Sequence, residues 1–533
     1  MKPAPQLRFG NSATFPRNPD SMSFVRAFRR PFASTLSAVL VAACAAWGLS
    51  LAFAPRLAAE PPLPLPLPPQ ARPGKTRPAA AAPRTPAPNA STPTTATLNT
   101  ATQEPRFATR AERGYWLLLN KPYLPADFDQ QTFDDVWKVW EEPTRSTAEK
   151  ATPDERRKLA FARYGLLERA NDPQHRPLQY IVRDGQWSMN CFACHQGSLD
   201  GRVIPGLANA RYDMQTLYED VRNTKLRSGK TLTHMDIGST MLPLGTTRGT
   251  TNAVMFGVVL LNYRKPDLSI DAAQPLPQLT NHAHNAPAWW HYHRKTSIYC
   301  DGFAAKGHRA LMQFLLVKEN GPAQFAAWED DFRDVHAWLE SLRPPKYPGA
   351  LDAKLVEAGE TLFTRHCVKC HGTYGENGNW PDKNVPLDRV GTDPTRLRGL
   401  NVAQRKHYAD SWFAHAGADP TSTDPDGYVA PPLDGIWASG PYFHNGSVPT
   451  LAQVLNPALR AKVWRRVDDS FDPEQIGLKH VATDVMPADI RTGAERRDHY
   501  DTQVAGQSNG GHEFAAKLTD DERQALLEYL KTL

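Results

Sequence analysis

Cysteine is scarce in this chain, and most of the cysteines belong to one repeated pattern. Of six cysteines in 533 residues, four fall in two copies of one pattern, Cys44 lies in an apolar N-terminal stretch and Cys300 stands alone. No framework of structural disulfides is implied. The fold must instead rest on a buried apolar core, and a hydrophobic content of 41% with 13 Trp and 21 Phe is enough to build one.

Excess charge is also missing from most of the chain. The formal net charge is +6, but residues 1–59 alone carry seven basic side chains and one acidic side chain. The remaining residues are therefore close to neutral overall. A nucleic-acid-binding surface needs clustered basic residues, so the composition argues against nucleic acid as a partner.

The four clustered cysteines belong to two C-x-x-C-H motifs, which we call site 1 (Cys191, Cys194 and His195) and site 2 (Cys367, Cys370 and His371). Two thiols three positions apart can bond both vinyl groups of one haem, and the adjacent histidine can coordinate its iron. Composition alone predicts about 0.002 such motifs in a chain like this one, so two copies indicate two covalently bound haem c groups. The alternative is a shared zinc site, whose paired knuckles usually lie within about 20 residues of each other. Here the two histidines are 176 positions apart.

Residues 1–59 have the pattern of an export segment. Arg26, Arg29 and Arg30 precede an apolar stretch, 36–54, which small residues follow. The pattern predicts a signal peptide, and its length equally fits an uncleaved anchor in the inner membrane. Either form places the rest of the chain in the periplasm or outside the cell, where bacterial haem c is attached. Residues 60–106 are rich in Pro, Ala and Thr and predict a linker.

Two haem domains are predicted after the linker, residues 107–345 and 346–533. In the second, a helical stripe leads straight into the cysteines of site 2, and a capping box at 519–522 begins the helix that closes the chain. An amphipathic stretch, 325–342, closes the first domain in the same way. We therefore expect a mainly α fold of two fused class I cytochrome c-like domains with long, loop-rich insertions.

Two stretches of the first domain are candidates to border a cofactor. Residues 249–261 are apolar after a polar start, and they predict either a buried helix or a wall that leaves one side of a haem open. The stretch 285–295 contains the adjacent Trp289 and Trp290, of which one can pack in the core while the other faces a cofactor; plain packing is the alternative. Five histidines between 282 and 308 are candidate iron ligands or ordinary hydrogen-bonding histidines.

One loop of the second domain carries a family resemblance. The stretch Pro441–Gly446, Pro-Tyr-Phe-His-Asn-Gly, resembles the signature loop of bacterial di-haem cytochrome c peroxidases and of the di-haem enzyme that matures methylamine dehydrogenase. Together with both motifs, the Pro-Ala-Trp-Trp stretch and Asn509–Phe514, it makes residues 114–533 most similar to the rubber-oxygenase branch of that superfamily. The resemblance implies a haem-dependent oxidoreductase whose first haem activates an oxidant while the second is six-coordinate and relays electrons.

The resemblance also implies iron ligands. No histidine occurs within 30 residues after His195, where many of these peroxidases carry a switchable distal histidine, and Ala458 stands where they place a methionine ligand. Rubber oxygenases, with an open first haem and histidine on both faces of the second, are the better match. We therefore expect His512 as the distal ligand of site 2, with His444 and Met486 as alternatives.

Further roles follow from the same resemblance. The inter-haem tryptophan of the superfamily corresponds to Trp290, with Trp289 as the alternative. Phe303 is a candidate border of the distal pocket that no motif of the family supports. Calcium is frequent between the haems, but no clear ligand set for it stands in this sequence. The expected oxidant is dioxygen or hydrogen peroxide, and the organic substrate or redox partner protein is not defined. The rival hypothesis is a di-haem electron carrier with both irons six-coordinate, in which Met312 or one of the five histidines between 282 and 308 would be the second ligand of site 1.

Overall fold

The computed structural model describes residues 104–417 and 420–533. The predicted export segment and residues 60–103 of the predicted linker lie outside the described residues. The described chain alternates helices with short strands. Its α-helices are α1 (Arg110–Asn120), α2 (Gln130–Asp135), α3 (Thr144–Lys150), α4 (Pro153–Tyr164), α5 (Phe192–His195), α6 (Met214–Arg227), α7 (His234–Met241), α8 (Ala253–Asn262), α9 (Pro322–Ser341), α10 (Ala353–His366), α11 (Val368–His371), α12 (Leu387–Val390), α13 (Thr395–Gly399), α14 (Val402–Ala409), α15 (Leu451–Leu455), α16 (Gly493–Arg497) and α17 (Asp520–Leu530).

Both predicted closing helices are present, and each packs against a helix that precedes the motif of its own half. Helix α9 packs on α1 and helix α17 packs on α10. A glycine makes each close approach: a Cβ added at Gly114 would lie 2.1 Å from the Asp334 carbonyl oxygen, and one at Gly359 would lie 2.1 Å from that of Ala525. The two halves therefore repeat one arrangement, in which a glycine lets two helix backbones approach closely.

Local sequence explains where these helices begin and end. The Thr519 hydroxyl and the Glu522 side chain form the capping box predicted for α17. Helix α9 begins with Pro322 in its first turn and ends before two prolines that follow it. The Arg113 guanidinium on α1 donates to Asp331 at 2.8 Å and to Asp334 at 2.6 Å, which ties α1 to α9.

The strands form small antiparallel sheets. They are β1 (Phe128–Asp129), β2 (Tyr180–Arg183), β3 (Gln186–Met189), β4 (Gln196–Leu199), β5 (Arg202–Pro205), β6 (Thr250–Thr251), β7 (His284–Asn285), β8 (Ser297–Ile298), β9 (Ala304–Ala305), β10 (Asn384–Pro386), β11 (Gly427–Val429), β12 (Val463–Asp472), β13 (Gly477–Thr483) and β14 (His499–Asp501). One sheet has the order β1-β3-β2 and another β13-β12-β14, and two-stranded pairs join β4 to β5, β6 to β7, β8 to β9 and β10 to β11. In the sheet of β12, β13 and β14 the register shifts between Arg466 and Phe471.

One large apolar core contains residues from both halves. It joins buried side chains of α9 such as Phe332 and Leu339 to those of α17 such as Leu526 and Leu530. A second, strongly aromatic cluster lies in the first half, where Phe133 and Trp187 stack at 4.3 Å between ring centroids. Within residues 104–417 and 420–533, none of the helices has the length and apolar character to cross a membrane.

Candidate haem sites

Site 1 lies on the one-turn helix α5. The backbone N–H of Phe192 donates to the Asn190 side chain, and the Asn209 side chain donates to the carbonyl oxygen of Ala193. The His195 Nδ1 lies 3.2 Å from the carbonyl oxygen of Pro287. Because a carbonyl can only accept, Nδ1 carries the proton, which leaves Nε2 as the nitrogen that can bind a metal.

Site 2 repeats this arrangement. Helix α10 runs into the motif, where the backbone N–H of Cys367 donates to the carbonyl oxygen of Phe363 at 2.8 Å. The His371 Nδ1 lies 2.9 Å from the carbonyl oxygen of Pro431. Both motif histidines are therefore fixed in the same tautomer by a proline carbonyl from a loop far along the chain.

A second histidine faces site 2. The ring centroids of His371 and His512 are 6.1 Å apart, with an angle of 63° between the planes. Two metal–nitrogen bonds of about 2 Å, added to the distance of about 1.1 Å from each ring centre to its nitrogen, require a separation of about 6 Å. The spacing thus fits one iron held between the two imidazoles. The Nδ1 of His512 is also buried without a hydrogen-bond partner in the described chain.

The backbone around His512 is held in an unusual conformation. His512 has a φ of 51°, and its N–H donates to the carbonyl oxygen of Val390 at 2.6 Å. The Arg460 guanidinium donates to the carbonyl oxygens of Asn509, at 2.7 Å, and Gly511, at 2.8 Å. A left-handed conformation of a residue other than glycine costs about 1–3 kcal/mol and persists where its surroundings fix it, as they do here.

The alternative ligands of site 2 lie elsewhere. His444 stacks on Tyr428 at 4.3 Å, and its ring contacts in the described chain do not include His371. Met486 follows β13 in a stretch whose neighbours, such as Val485, are exposed. Among the three candidates from sequence, the structure therefore brings His512 to the motif histidine.

Site 1 has no counterpart of His512 among residues 104–417 and 420–533. The His195 ring stacks on Trp289, with centroids 4.2 Å apart and planes at 12°. No histidine ring in that part of the chain contacts the His195 ring. The candidate histidines near site 1 have other partners: His282 with His284, His291 with the Asp434 carbonyl, His293 with the Trp290 carbonyl, and His308 with Glu329.

The apolar stretch predicted as a buried helix or a pocket wall forms helix α8. Met255 and Val259 are buried, whereas Phe256 is partly buried. Phe256 and Cys194 both pack against the aromatic cluster of the first half. Met312, a candidate ligand in the carrier hypothesis, is fully buried in the main core.

The two adjacent tryptophans lie in different surroundings. Trp289 stacks on His195, whereas Trp290 is fully buried and donates its Nε1–H to the carbonyl oxygen of Asp434 at 2.8 Å. Asp434 lies three residues after Pro431, the hydrogen-bond partner of His371. Trp290 thus joins the loop that holds His195 to the loop that holds His371.

Phe303 lies among charged and aromatic side chains. Its ring stacks on Tyr299 at 4.7 Å, and the guanidinium carbons of Arg396 and Arg405 lie 5.8 Å and 5.3 Å from its centroid. In the described chain none of its ring contacts is to a residue of site 1. A role at the distal pocket stays a prediction without a contact that carries it.

Burial sets the charge state of the sites. It lowers the pKa of His195 to about 4 and that of His512 to about 3, and it lowers the pKa of His371. It raises the pKa of Cys191 to about 11 and that of Cys367 to about 12. Neutral imidazoles are the form that binds iron, so the histidines of both sites fit the iron of haem c.

Three residues that matter to this geometry carry no sequence signal of their own. Pro287 and Pro431 act through backbone oxygens, and Arg460 acts from about 50 positions before the loop it holds. The one hint in the sequence is that Pro287 begins the Pro-Ala-Trp-Trp stretch. No group of three His, Cys, Asp or Glu side chains in residues 104–417 and 420–533 could hold a metal ion, so calcium stays a prediction without a ligand set.

Comparison with known proteins supports the cytochrome relationship. Residues 427–465 match a family described as RoxA-like, cytochrome c-like. The matched segment contains the Pro441–Gly446 loop and Pro431. The chain therefore contains a RoxA-like cytochrome c domain, which implies haem c as its cofactor and supports a rubber-oxygenase-like relationship. The wider di-haem peroxidase superfamily stays a prediction.

Two curated proteins of Sinorhizobium fredii (strain NBRC 101917 / NGR234) are similar to parts of the chain. The uncharacterized protein y4iJ is 30% identical over 260 residues, and the uncharacterized protein y4iM is 28% identical over 236 residues. The matches cover 36% and 37% of this chain, and 41% and 53% of the relatives. The chain thus spans about half the length of the curated relatives it matches. The comparisons support a RoxA-like cytochrome c domain in this chain.

Proposed function

We propose that this chain is an exported di-haem c-type oxidoreductase of two fused, mainly α, class I cytochrome c-like domains, residues 107–345 and 346–533. Site 1 would bind dioxygen or hydrogen peroxide, and site 2 would exchange electrons with it. Haem c would supply a redox-active iron at each site, held by Cys191, Cys194 and His195 at site 1 and by Cys367, Cys370, His371 and His512 at site 2.

The asymmetry between the two motif histidines carries this proposal. His512 stands 6.1 Å from His371, whereas no histidine of the described chain faces His195. A site with two imidazoles is suited to electron exchange, because its ligands stay the same in both redox states. A site with one imidazole leaves room for an outside molecule.

The residues around site 1 support such a role. Pro287 fixes the His195 tautomer, and Trp289 stacks on the ring, so the imidazole cannot rotate freely. Phe256 of helix α8 and Cys194 both pack against the aromatic cluster of the first half. Apolar walls exclude bulk water and so limit proton leakage and side reactions at the site.

A continuous chain of bonds joins the two sites. It runs from His195 through its hydrogen bond to Pro287 and along three residues to Trp290. The Trp290 indole then donates to the Asp434 carbonyl, and three residues before Asp434 stands Pro431, which accepts from His371. This path supports Trp290 as the relay between the sites.

The choice between oxygenase and peroxidase rests on the family relationship. The RoxA-like segment favours an oxygenase acting on an apolar, unsaturated substrate, and a peroxidase is the more general version. Consumption of dioxygen without added peroxide would favour the oxygenase.

Export to the periplasm, with or without an inner-membrane anchor, rests on residues 1–59 and is tested by fractionating cells that express the full chain.

Electron paramagnetic resonance and visible spectra of the purified protein test the proposal. We expect two haems per chain, one low-spin and one that is high-spin or binds cyanide. Two low-spin haems, neither of which binds cyanide, would favour the electron carrier. Absence of haem from protein expressed with a haem-attachment system would end the proposal altogether.

A further inference from the structure

One hydroxyl outside the haem motifs bonds both to the motif histidine of site 2 and to the loop that orients it. The Tyr374 hydroxyl donates to the backbone carbonyl oxygen of His371 at 3.0 Å, and it accepts the backbone N–H of Leu433 at 2.7 Å. A hydroxyl has one proton to donate and lone pairs with which to accept, so both bonds can form at once. Tyr374 thus joins the backbone of the motif to the loop 431–434.

The contact that Tyr374 spans is the one that orients the His371 imidazole. The His371 Nδ1–H donates to the Pro431 carbonyl oxygen at 2.9 Å, and Leu433 stands two residues after Pro431. The hydroxyl therefore bonds to both chain segments that this hydrogen bond joins. The loop cannot move away from the imidazole without also breaking its bond to Tyr374.

Site 1 has no such bridge. Ser198 stands three positions after His195, as Tyr374 stands three positions after His371. The Ser198 hydroxyl is buried and makes no hydrogen bond in the described chain. The His195 Nδ1 lies 3.2 Å from the carbonyl oxygen of Pro287, against 2.9 Å for the equivalent contact at site 2. The shorter contact belongs to the site that has the bridging hydroxyl.

The ring of Tyr374 is itself fixed by its surroundings. It packs on the Phe363 ring of helix α10 with 5.8 Å between centroids, and the guanidinium carbon of Arg294 lies 5.4 Å from its centroid. The Arg294 Nε also lies 2.8 Å from the Asp434 Oδ2, an ion pair whose angle does not make it a hydrogen bond. The hydroxyl is thus presented from a ring held between the helix that leads to site 2 and a residue of the first half.

We propose that Tyr374 is a positioning residue for His371, whose hydroxyl fixes the hydrogen bond from His371 to Pro431 and so sets the reduction potential of site 2. The inference rests on the proposed function only in requiring that site 2 carries haem. A hydrogen bond from Nδ1–H makes an imidazole a stronger electron donor to its metal. A stronger donor stabilises the oxidised iron, so a firmly held bond keeps the reduction potential low.

Spectroelectrochemical titration of the holoprotein tests this proposal. Tyr374→Phe removes the hydroxyl and keeps the ring, so the loop 431–434 is released from the backbone of the motif. We expect the low-spin haem to become easier to reduce, with its equilibrium constant for reduction raised by about tenfold, which corresponds to about 59 mV for one electron. The potential of the high-spin haem should not change.

The matched control is Tyr529→Phe. Tyr529 packs on the same Phe363 ring with 5.2 Å between centroids, and its hydroxyl makes no hydrogen bond in the described chain. The control therefore removes a hydroxyl near site 2 without touching the bridge, and both potentials should stay in place. An equal shift in the two variants would mean that the potential follows the packing around Phe363, and it would overturn the proposal.

The remaining outcomes also decide the proposal. An unchanged low-spin potential in Tyr374→Phe with full haem content overturns it, and so does a shift confined to the high-spin haem. Absence of haem from the wild-type chain would instead overturn the proposed function. If both haems of the wild type are low-spin, the proposed function fails, whereas this inference still requires one potential to shift in Tyr374→Phe.

A measurement on the wild-type chain applies if Tyr374→Phe does not accumulate. In reduced protein with isotope-labelled histidine and bound carbon monoxide, nuclear magnetic resonance follows the Nδ1–H of both motif histidines. The signal that carbon monoxide moves belongs to His195. We expect the Nδ1–H of His371 to exchange with solvent more slowly than that of His195, and equal rates or the reverse order would overturn the proposal.

Discussion

Site 1 and site 2 are alike on one side and different on the other. In both, a motif histidine donates to a proline carbonyl from a distant loop, at 3.2 Å for His195 and 2.9 Å for His371. On the opposite side, the second site meets His512, whereas the first meets no histidine of the described chain. Long-range folding thus orients both motif histidines in the same way, and it brings a second histidine to His371 but, within the described chain, not to His195.

The largest effect should come from removing one attachment at a time. The variant Cys191→Ala/Cys194→Ala should retain one haem per chain, and that haem should be low-spin. The variant Cys367→Ala/Cys370→Ala should retain one haem that is high-spin or binds cyanide. Mass spectrometry counts the haems and electron paramagnetic resonance assigns their spin. The same spin state in both variants would remove the difference between the sites.

The next largest effect should come from removing His512, the histidine opposite His371 at site 2. His512→Ala should convert the low-spin haem to high-spin, or to a form with a weak ligand, because His371 would then be its one protein ligand. His444→Ala is the control, as His444 stacks on Tyr428 instead of facing the motif. A visible spectrum that stays low-spin in His512→Ala and changes in His444→Ala would reverse the assignment.

Replacing Trp290 should have a smaller effect, which is to slow electron exchange between the two sites. Trp290→Phe removes the indole N–H that donates to the Asp434 carbonyl, while His291 still donates to the same oxygen at 2.7 Å. We expect electron exchange between the haems to slow by about tenfold, equivalent to about 1.4 kcal/mol of activation free energy. Stopped-flow reduction followed at both haems measures this rate.

The control for that experiment is Trp289→Phe. Trp289 stacks on His195 but makes no hydrogen bond through its indole in the described chain, so its replacement should affect the site 1 spectrum more than the exchange rate. If Trp289→Phe slows exchange and Trp290→Phe does not, the relay runs through the stacked ring instead of the buried one.

What the sequence could predict was local. The C-x-x-C-H spacing, the capping box of α17 and the apolar stripe before site 2 each lie within about 12 residues, where backbone geometry determines which side chains meet. The closing helices formed where periodicity placed them. The role of His512 was predicted from the family resemblance, because no local pattern around His512 indicates an iron ligand. Its spacing to His371 fits that role.

The remaining contacts arise between parts of the chain that are far apart. Pro287 and Pro431 act through carbonyl oxygens, which every residue possesses, so side-chain chemistry cannot single them out. Phe303 was expected to border the distal pocket although no motif supports that role. Its surroundings are set by Arg396 and Arg405, about 100 positions later, and no local pattern links these residues.

The smallest predicted effect concerns the support of His512. Arg460→Gln removes the guanidinium that donates to the carbonyl oxygens of Asn509 and Gly511, and the Gln453 carbonyl also loses its donor. Buried carbonyls without donors should lower the free energy of unfolding by about 1–3 kcal/mol, measured by chemical denaturation.

The spectrum then shows whether Arg460 positions the ligand or supports the fold alone. His512 has a left-handed backbone, and a loop released from Arg460 should relax from it, so part of the site 2 haem should become high-spin while site 1 stays unchanged. Arg465→Gln, at an exposed position on β12, is the control and should alter neither quantity. Lower stability with a fully low-spin site 2 would mean that His512 is held by its other contacts, above all the hydrogen bond to Val390.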